Sequence, residues 1–342
     1  MKNSFCKKIK MESLLIIFLF VFLFGWAYFQ SYETPYQEES FALRNFQKVD
    51  QDEIEFYPNV KPICNSTIVS AYYNISSKHS PAEYFEWITN FLSLVDCMVV
   101  FTTPDNANIF RKLRDPSRPL EILIQPFENF YVYKEYDQKI WDFQATIDRE
   151  KHVGHNKKVY WVWNEKTNFL KLASQWNIFK SNYFVWVDIG CIRHNRFNNM
   201  QLINHLPSNP GVLFLKVLNF TENDLIFENG VSNVDFGQVD RIGAGVFGGS
   251  ADQILKWHKA YYSTLQRYIN ENRFAGKEQN IMATTCIEND VCLILDGTDY
   301  RWFLLHDYYL GLLKIEPVLM NLTEFKLKSM DIGFTENPPR DE

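Results

Sequence analysis

Thr67-Ile-Val-Ser-Ala-Tyr-Tyr73, Met98-Val-Val-Phe-Thr102 and Leu120-Glu-Ile-Leu-Ile124 are three short runs rich in β-branched and aromatic residues. Such residues suit a pleated, half-buried surface. Between the first two runs, Tyr84, Phe85, Ile88, Phe91 and Leu92 recur at helical spacing across 81–94, and Ser80 with Pro81 supplies a start signal. Pro104 stops the second run, a short helix candidate follows from Asn106 to Leu113, and Pro126 ends the third run. Strand–helix–strand–helix–strand at these intervals builds right-handed βαβ units, so the sheet is expected to be mostly parallel.

Working toward the C-terminus, residues 130–155 are rich in Tyr, Lys, Asp and Glu and read as a cover over a face or cleft. Asn164 to Phe179 is an expected helix, with Phe169, Leu170, Leu172, Ala173 and Trp176 on one side. Tyr183-Phe-Val-Trp-Val-Asp188 is apolar up to its acid, the pattern of a strand covered on both faces. Val212 to Val217 and Val291 to Leu295 add later strands, and Ala251 to Ile269 a long helix. The expected fold class is α/β, an open, mostly parallel twisted sheet with helices on both faces, over residues 61–320. Ligands of such sheets bind at the carboxyl ends of the strands.

Working toward the N-terminus, Leu14 to Phe29 carries no charge and follows Lys2, Lys7, Lys8 and Lys10. A basic flank before an apolar run reads as a signal anchor with a short cytosolic tail (1–13), a membrane helix (14–29) and a polar stem (30–60). Gly25 and Ala27 also fit a signal-peptidase site, which would make the chain secreted. Either way the folded body is expected in the secretory lumen, as a type II Golgi or endoplasmic-reticulum protein if the anchor is kept, with 321–342 as a C-terminal tail. The sequons at Asn65, Asn74, Asn219 and Asn321 all fall on that side. So do Cys64, Cys97, Cys191, Cys286 and Cys292, which lack zinc-ligand spacing; Cys286 and Cys292 are close enough for a local bridge. A net charge of −6 argues against general nucleic-acid binding.

Four constellations carry candidate chemistry. In Trp186-Val-Asp188-Ile-Gly190-Cys191 an acid stands where a buried strand turns into the cleft; it suits a divalent cation, and Gly190 admits a phosphate near backbone. The plainer reading is an Asp that caps the turn. Arg241-Ile-Gly243-Ala-Gly245-Val-Phe-Gly248-Gly249-Ser250 reads as a glycine-rich loop, with Gly245, Gly248 and Gly249 offering bare backbone to a ligand, or as a tight turn before a helix. It lacks the Gly-Lys-Ser/Thr of a phosphate-binding loop. Glu278 sits at an expected helix start, as a general base, a substrate orienter or a solvated first-turn acid. His306 ends an apolar run and either completes a metal site with Asp188 or is structural.

Taken together, Trp163-Asn164-Glu165-Lys166, Trp186-Val-Asp188-Ile-Gly190-Cys191-Ile-Arg193 and Gly243-Ala-Gly245-Val-Phe-Gly248-Gly249 resemble the HtrL/YibB family over about Ser66 to Leu313. That family is regarded as glycosyltransferase-like, with a GT-A plan. The resemblance implies a nucleotide-sugar donor, a glycan, lipid or protein acceptor, and Mn²⁺ or Mg²⁺ held by Asp188 and His306. It assigns Asn164, Lys166 and Arg193, with the glycines, to the donor. It makes Glu278 the acid facing the acceptor, a base if the reaction inverts and an orienting group if it retains. Gly190 stands where the second acid of a DxD turn would be, which leaves metal-independent transfer open. It also leaves open a luminal glycan- or nucleotide-sugar-binding protein without turnover. A hydrolase is the weaker reading, since no Gly-x-Ser-x-Gly elbow is present.

Overall fold

The computed structural model describes residues 62–320, apart from 77–78, 229–230, 233–234, 237–238 and 298–300. The tail, membrane helix, stem, C-terminal tail and Asn321 sequon all lie outside the described residues. Among the described residues no helix is long and apolar enough to cross a membrane.

β1 (Ser66–Tyr72) leads through α1 (Pro81–Leu92) to β2 (Cys97–Thr102), and α2 (Pro104–Leu113) leads on to β3 (Leu120–Ile124). The expected cover folds as the short helices α3 (Tyr131–Glu135) and α4 (Gln138–Ile147), after which α5 (Lys157–Trp176) precedes β4 (Tyr183–Val187). Then follow β5 (Val212–Lys216), the small pair β6 (Phe227–Glu228) and β7 (Val231–Ser232), β8 (Ile242–Gly249), α6 (Ala251–Asn270) and α7 (Glu278–Glu288). The described chain closes with β9 (Cys292–Asp296), α8 (Leu304–Tyr309) and β10 (Val318–Leu319).

Local signals explain the helix ends. Ser80 and Glu83 form a reciprocal capping box on α1: Ser80 N donates to Glu83 Oε2 (2.8 Å), and Glu83 N donates to Ser80 Oγ (3.3 Å). The α5 helix starts seven residues ahead of the expected Asn164, because the Asn156 side chain accepts from the Lys158 backbone N (3.1 Å). It ends at Trp176 because Asn177 turns left-handed, with φ 42°.

The sheet has eight strands in the order β10-β9-β5-β8-β4-β1-β2-β3. Parallel pairing joins β1 to β2 and β4, β2 to β3, and β5 to β9. β8 runs antiparallel between β4 and β5, and β10 antiparallel beside β9. The expected mostly parallel sheet is therefore present, with one correction. The glycine run read as a loop is the inner strand β8. A Cβ at Gly248 would meet Phe184 O at 2.5 Å, and one at Gly249 would meet Val212 Cγ2 at 3.2 Å. Glycine is poor strand material in isolation; here it permits close approach to both neighbouring strands.

Period-two alternation fills both faces. On one, Ile68, Met98, Val100, Val185 and Val187 pack with Ile88 and Phe91 of α1, Phe110 of α2 and Leu305 of α8. On the other, Phe101, Phe169 of α5 and Trp186 stack in succession at 4.6 and 5.9 Å between ring centres, and Phe214 lies 4.7 Å from Trp257 of α6. Disulfides join Cys64 to Cys97 and Cys286 to Cys292, and Cys191 remains a free thiol.

Candidate active site

Asp188 follows β4 at the carboxyl end of the parallel strands. Its backbone N donates to Gly245 O (2.7 Å) and its O accepts from Cys191 N (2.8 Å), so the turn is sewn to β8. Trp186 lies two residues earlier, on the same face of the chain. Its indole Nε1 donates to Asp188 Oδ1 at 2.7 Å. Lys166, from the middle of α5, reaches the other oxygen: Nζ donates to Asp188 Oδ2 at 2.9 Å and to Glu278 Oε1 at 2.7 Å. A third, longer bond runs from Nζ to Ala244 O (3.4 Å). Two acids singled out in the sequence, Asp188 and Glu278, thus converge on the Lys166 ammonium.

Burial separates their roles. The side chains of Lys166 and Glu278 are each 4% exposed, whereas that of Asp188 is 35% exposed. Burial opposes the charge on Lys166, but Asp188 and Glu278 together outweigh it and hold the ammonium above the ordinary lysine range. Burial pushes the Glu278 carboxyl up from its usual range; Lys166 pulls it back, and the charge on Asp188 adds to the rise. One cation shared by two carboxylates leaves the cluster with a formal charge of −1. Of the two acids, Asp188 is the one open to solvent.

The frame around the cluster explains the other candidates. Glu278 opens α7, where the helix N-terminus favours an acid. The loop before it is held by Asn164, whose Nδ2 donates to Ala275 O and Gly276 O (3.1 Å each) while its Oδ1 accepts from the Tyr261 hydroxyl (2.7 Å). Asn164 is fully buried. The family resemblance implies a donor role for it; its partners here make it a brace beneath the site. Gln279 Nε2 donates to Ile242 O (2.8 Å), pinning α7 to β8. Glu165 faces away, accepting from the Tyr131 and Val132 backbone N atoms (2.9 and 3.2 Å) and so capping α3.

Among the glycines, Gly245 is at the cluster. A Cβ there would stand 2.8 Å from Cys191 Sγ and 3.7 Å from Asp188 Oδ2, so the missing side chain keeps the acid uncovered. Gly190 lies under α1, where a Cβ would meet Trp87 Cε3 at 3.1 Å. Gly248 and Gly249 pair with Val185 and Phe184, toward the other end of β4, and are strand-packing positions.

Beyond Cys191 opens a cavity of about 370 Å³, lined also by Arg193, His194, Arg196, Phe303 and His306. The Arg193 guanidinium lies 4.5 Å from the Trp87 ring centre and 5.4 Å from that of Phe303, and its Nε donates to Gly190 O (3.1 Å). His306 is 1% exposed, and its Nε2 has no hydrogen-bond partner. Burial, helped by Arg196, lowers its pKa to about 4 and keeps the ring neutral at pH 7. Burial pushes the Cys191 thiol up, which disfavours its thiolate form. The Arg193 guanidinium, a neutral imidazole and Arg196, whose Nη2 also reaches Asp307 Oδ1 at 3.4 Å, surround one space that suits an anionic ligand.

The expected Mn²⁺ or Mg²⁺ fits this arrangement poorly. Asp188 lines no part of the cavity that His306 lines. Both Asp188 oxygens already accept N–H donors, and among the described residues no group of three or more His, Cys, Asp and Glu could hold a metal. Sequence reasoning did not single out Trp186, Gln279, Arg196 or Phe303. Period-two spacing from Asp188 was a signal for Trp186; the others come from loops and helix starts that only the fold brings near.

No curated protein sequence matches the chain. Among solved structures, the chain is similar to the mannosyltransferase Ktr4p from S. cerevisiae at 8% identity, with 77% of this chain and 80% of that one covered and a TM-score of 0.38. It is also similar to core-mannan synthase A (CmsA/Ktr4) from Aspergillus fumigatus in its Mn/GDP form, at 10% identity, with 71% and 76% covered and a TM-score of 0.40. Likeness at this level carries no assignment of activity. The family model HtrL_YibB, described as a bacterial protein of unknown function, matches residues 64–309 and so takes in β1 to α8 and every residue of the site; the chain belongs to that family.

Proposed function

We propose that the chain is a glycosyltransferase of the secretory pathway, moving a sugar from a nucleotide-sugar donor to a glycan, lipid or protein acceptor. The observation that carries this reading is the cavity lined by Arg193, Arg196 and His306, which begins at Cys191 on the turn that Asp188 opens. Arg193, Arg196 and the unpartnered His306 Nε2 would receive the donor's diphosphate, and the aromatic faces of Trp87 and Phe303 flank the arginine. Asp188 would face the transferred sugar. Glu278 acts through Lys166 and is a positioning residue, since it is too buried to meet an acceptor.

Luminal placement is supported by two disulfides, which persist in oxidising compartments, and by exposed sequons at Asn65, Asn74 and Asn219. Retention through Leu14–Phe29 in a Golgi or endoplasmic-reticulum membrane belongs to the same proposal. Gly190, in the place of a second acid, favours one competing reading, a binding protein without turnover.

The test is a donor screen: hydrolysis of a panel of nucleotide sugars by the purified chain, compared with Asp188→Ala and Glu278→Ala. Loss of activity in both variants is expected. Equal rates in all three proteins would remove the site assignment. Nucleotide binding without hydrolysis of any donor would favour the non-catalytic reading.

A further inference from the structure

The geometry points to a cation already built into the chain: we propose that the Lys166 ammonium occupies the position a divalent metal would take between Asp188 and Glu278. The protein then handles its anionic ligand without a metal. The statement about Lys166 stands on its own geometry; its extension to a nucleoside diphosphate rests on the reading above.

Three observations converge. Lys166 Nζ lies 2.9 Å from Asp188 Oδ2 and 2.7 Å from Glu278 Oε1, so it bridges the two acids nearest the end of β4 and the start of α7. The ammonium is almost fully buried and has a third acceptor in Ala244 O, so the point between the two acids is already filled by a cation. Asp188 Oδ1, the remaining oxygen, is held by the Trp186 indole. A divalent ion entering here would have to displace a buried, doubly paired ammonium or sit beside it against like-charge repulsion.

The charge a metal would bring to phosphate oxygens is then supplied elsewhere, by Arg193 and Arg196. Guanidinium groups match phosphate geometry without needing a carboxylate cage. Arg193 is already fixed by Gly190 O and flanked by Trp87 and Phe303, so little freedom is lost when an anion arrives. Gly190, in place of a second acid, agrees with this division: a further carboxylate would repel the phosphates that the arginines attract.

The test titrates Mn²⁺ into the full chain and follows the free-ion electron paramagnetic resonance signal. The wild type is expected to leave that signal as it is in buffer with Asp188→Asn protein. Lys166→Met is expected to deplete it, because two carboxylates then face the vacated point, and Lys166→Met with Asp188→Asn to restore it. Depletion by the wild type that Asp188→Asn abolishes overturns the proposal. Should Lys166→Met fail to fold, the wild-type and Asp188→Asn pair still decides.

A second arm measures thermal protection by GDP and UDP. Equal protection in Mn²⁺ and in EDTA is expected, and protection seen only with Mn²⁺ overturns the metal-free reading. Absence of protection under both conditions strikes the donor assignment, while the Mn²⁺ titration still decides the place of Lys166.

Discussion

Lys166 and Glu278 are 112 residues apart in the chain and meet at 2.7 Å, each side chain 4% exposed. Their contact ties α5 to α7 and sets Asp188 at the mouth of the site. Removing one partner leaves the other charged or forced to titrate inside the protein. Lys166→Ala is therefore expected to lower stability by about 3–5 kcal/mol. Lys166→Met with Glu278→Leu, an apolar pair of similar volume, should recover most of that loss. Urea unfolding of the three proteins checks both statements.

Asn164 supports the loop that delivers Glu278. Asn164→Ala leaves the carbonyls of Ala275 and Gly276 without their donor. An unsatisfied buried polar group costs about 1–3 kcal/mol, and a loss of that size is expected in urea unfolding. Because Asn164 touches no part of the cavity, nucleotide affinity should stay within about twofold, far below the tenfold that 1.4 kcal/mol would produce.

Arg193 is expected to carry affinity for the diphosphate. A hydrogen bond to a charged group contributes about 1.5–3 kcal/mol, so Arg193→Ala should weaken GDP or UDP binding roughly tenfold or more. Arg193→Lys should recover only part, because an ammonium lacks the planar fork that pairs with phosphate and stacks on Trp87. Isothermal titration of the three proteins measures the series.

Glu165 gives a pH signature of defined sign. Burial raises its carboxyl to about 7 against an ordinary 4.5, although the Tyr131 N–H, the Asn168 amide and the Val132 N–H all favour its charged form. The folded state thus binds the proton more tightly than the unfolded chain. Its contribution to stability is fully present below about pH 4.5 and is lost as pH rises through about 7, at most about 3 kcal/mol. Glu165→Gln keeps an oxygen for the α3 N-terminus and cannot ionise. The difference in unfolding free energy between wild type and variant should shift in the variant's favour across that window. A difference that is flat with pH would contradict the assignment.

The two disulfides should differ in weight. Cys64–Cys97 spans 33 residues and Cys286–Cys292 spans 6. On loop-closure entropy alone, their removal as paired Cys→Ser variants should cost about 4 and about 2 kcal/mol respectively. Thermal unfolding of the two variants under non-reducing conditions tests the order.

Local patterns carried much of this. The strands β1 to β4 and the starts of α1 and α7 follow from composition, period and capping residues that act within a few positions of themselves. Asp188 and Glu278 are legible as candidates because an acid after an apolar run and an acid at a helix start stand out, whereas Lys166 is implied only by the family resemblance of Trp163-Asn164-Glu165-Lys166. The glycine run 242–249 was misread as a loop, since its strand state depends on β4 and β5 pressing from both sides and not on its own propensity. The resemblance implies a donor role for Asn164, and a motif does not reveal that Tyr261 and the 275–276 carbonyls already engage its side chain.

The α/β class, the order of strands and helices from β1 to β5, the luminal expectation and the residue types available for chemistry are legible in the residues alone, because they depend on short-range periodicity and charge. Which charges neutralise one another is set by the packed fold. That Lys166 sits between Asp188 and Glu278, and that His306 opens with Arg193 on a separate cavity, are matters of side chains brought together across more than 20 to more than 100 positions of chain. Burial then sets their energies, and burial is a property of the fold as a whole.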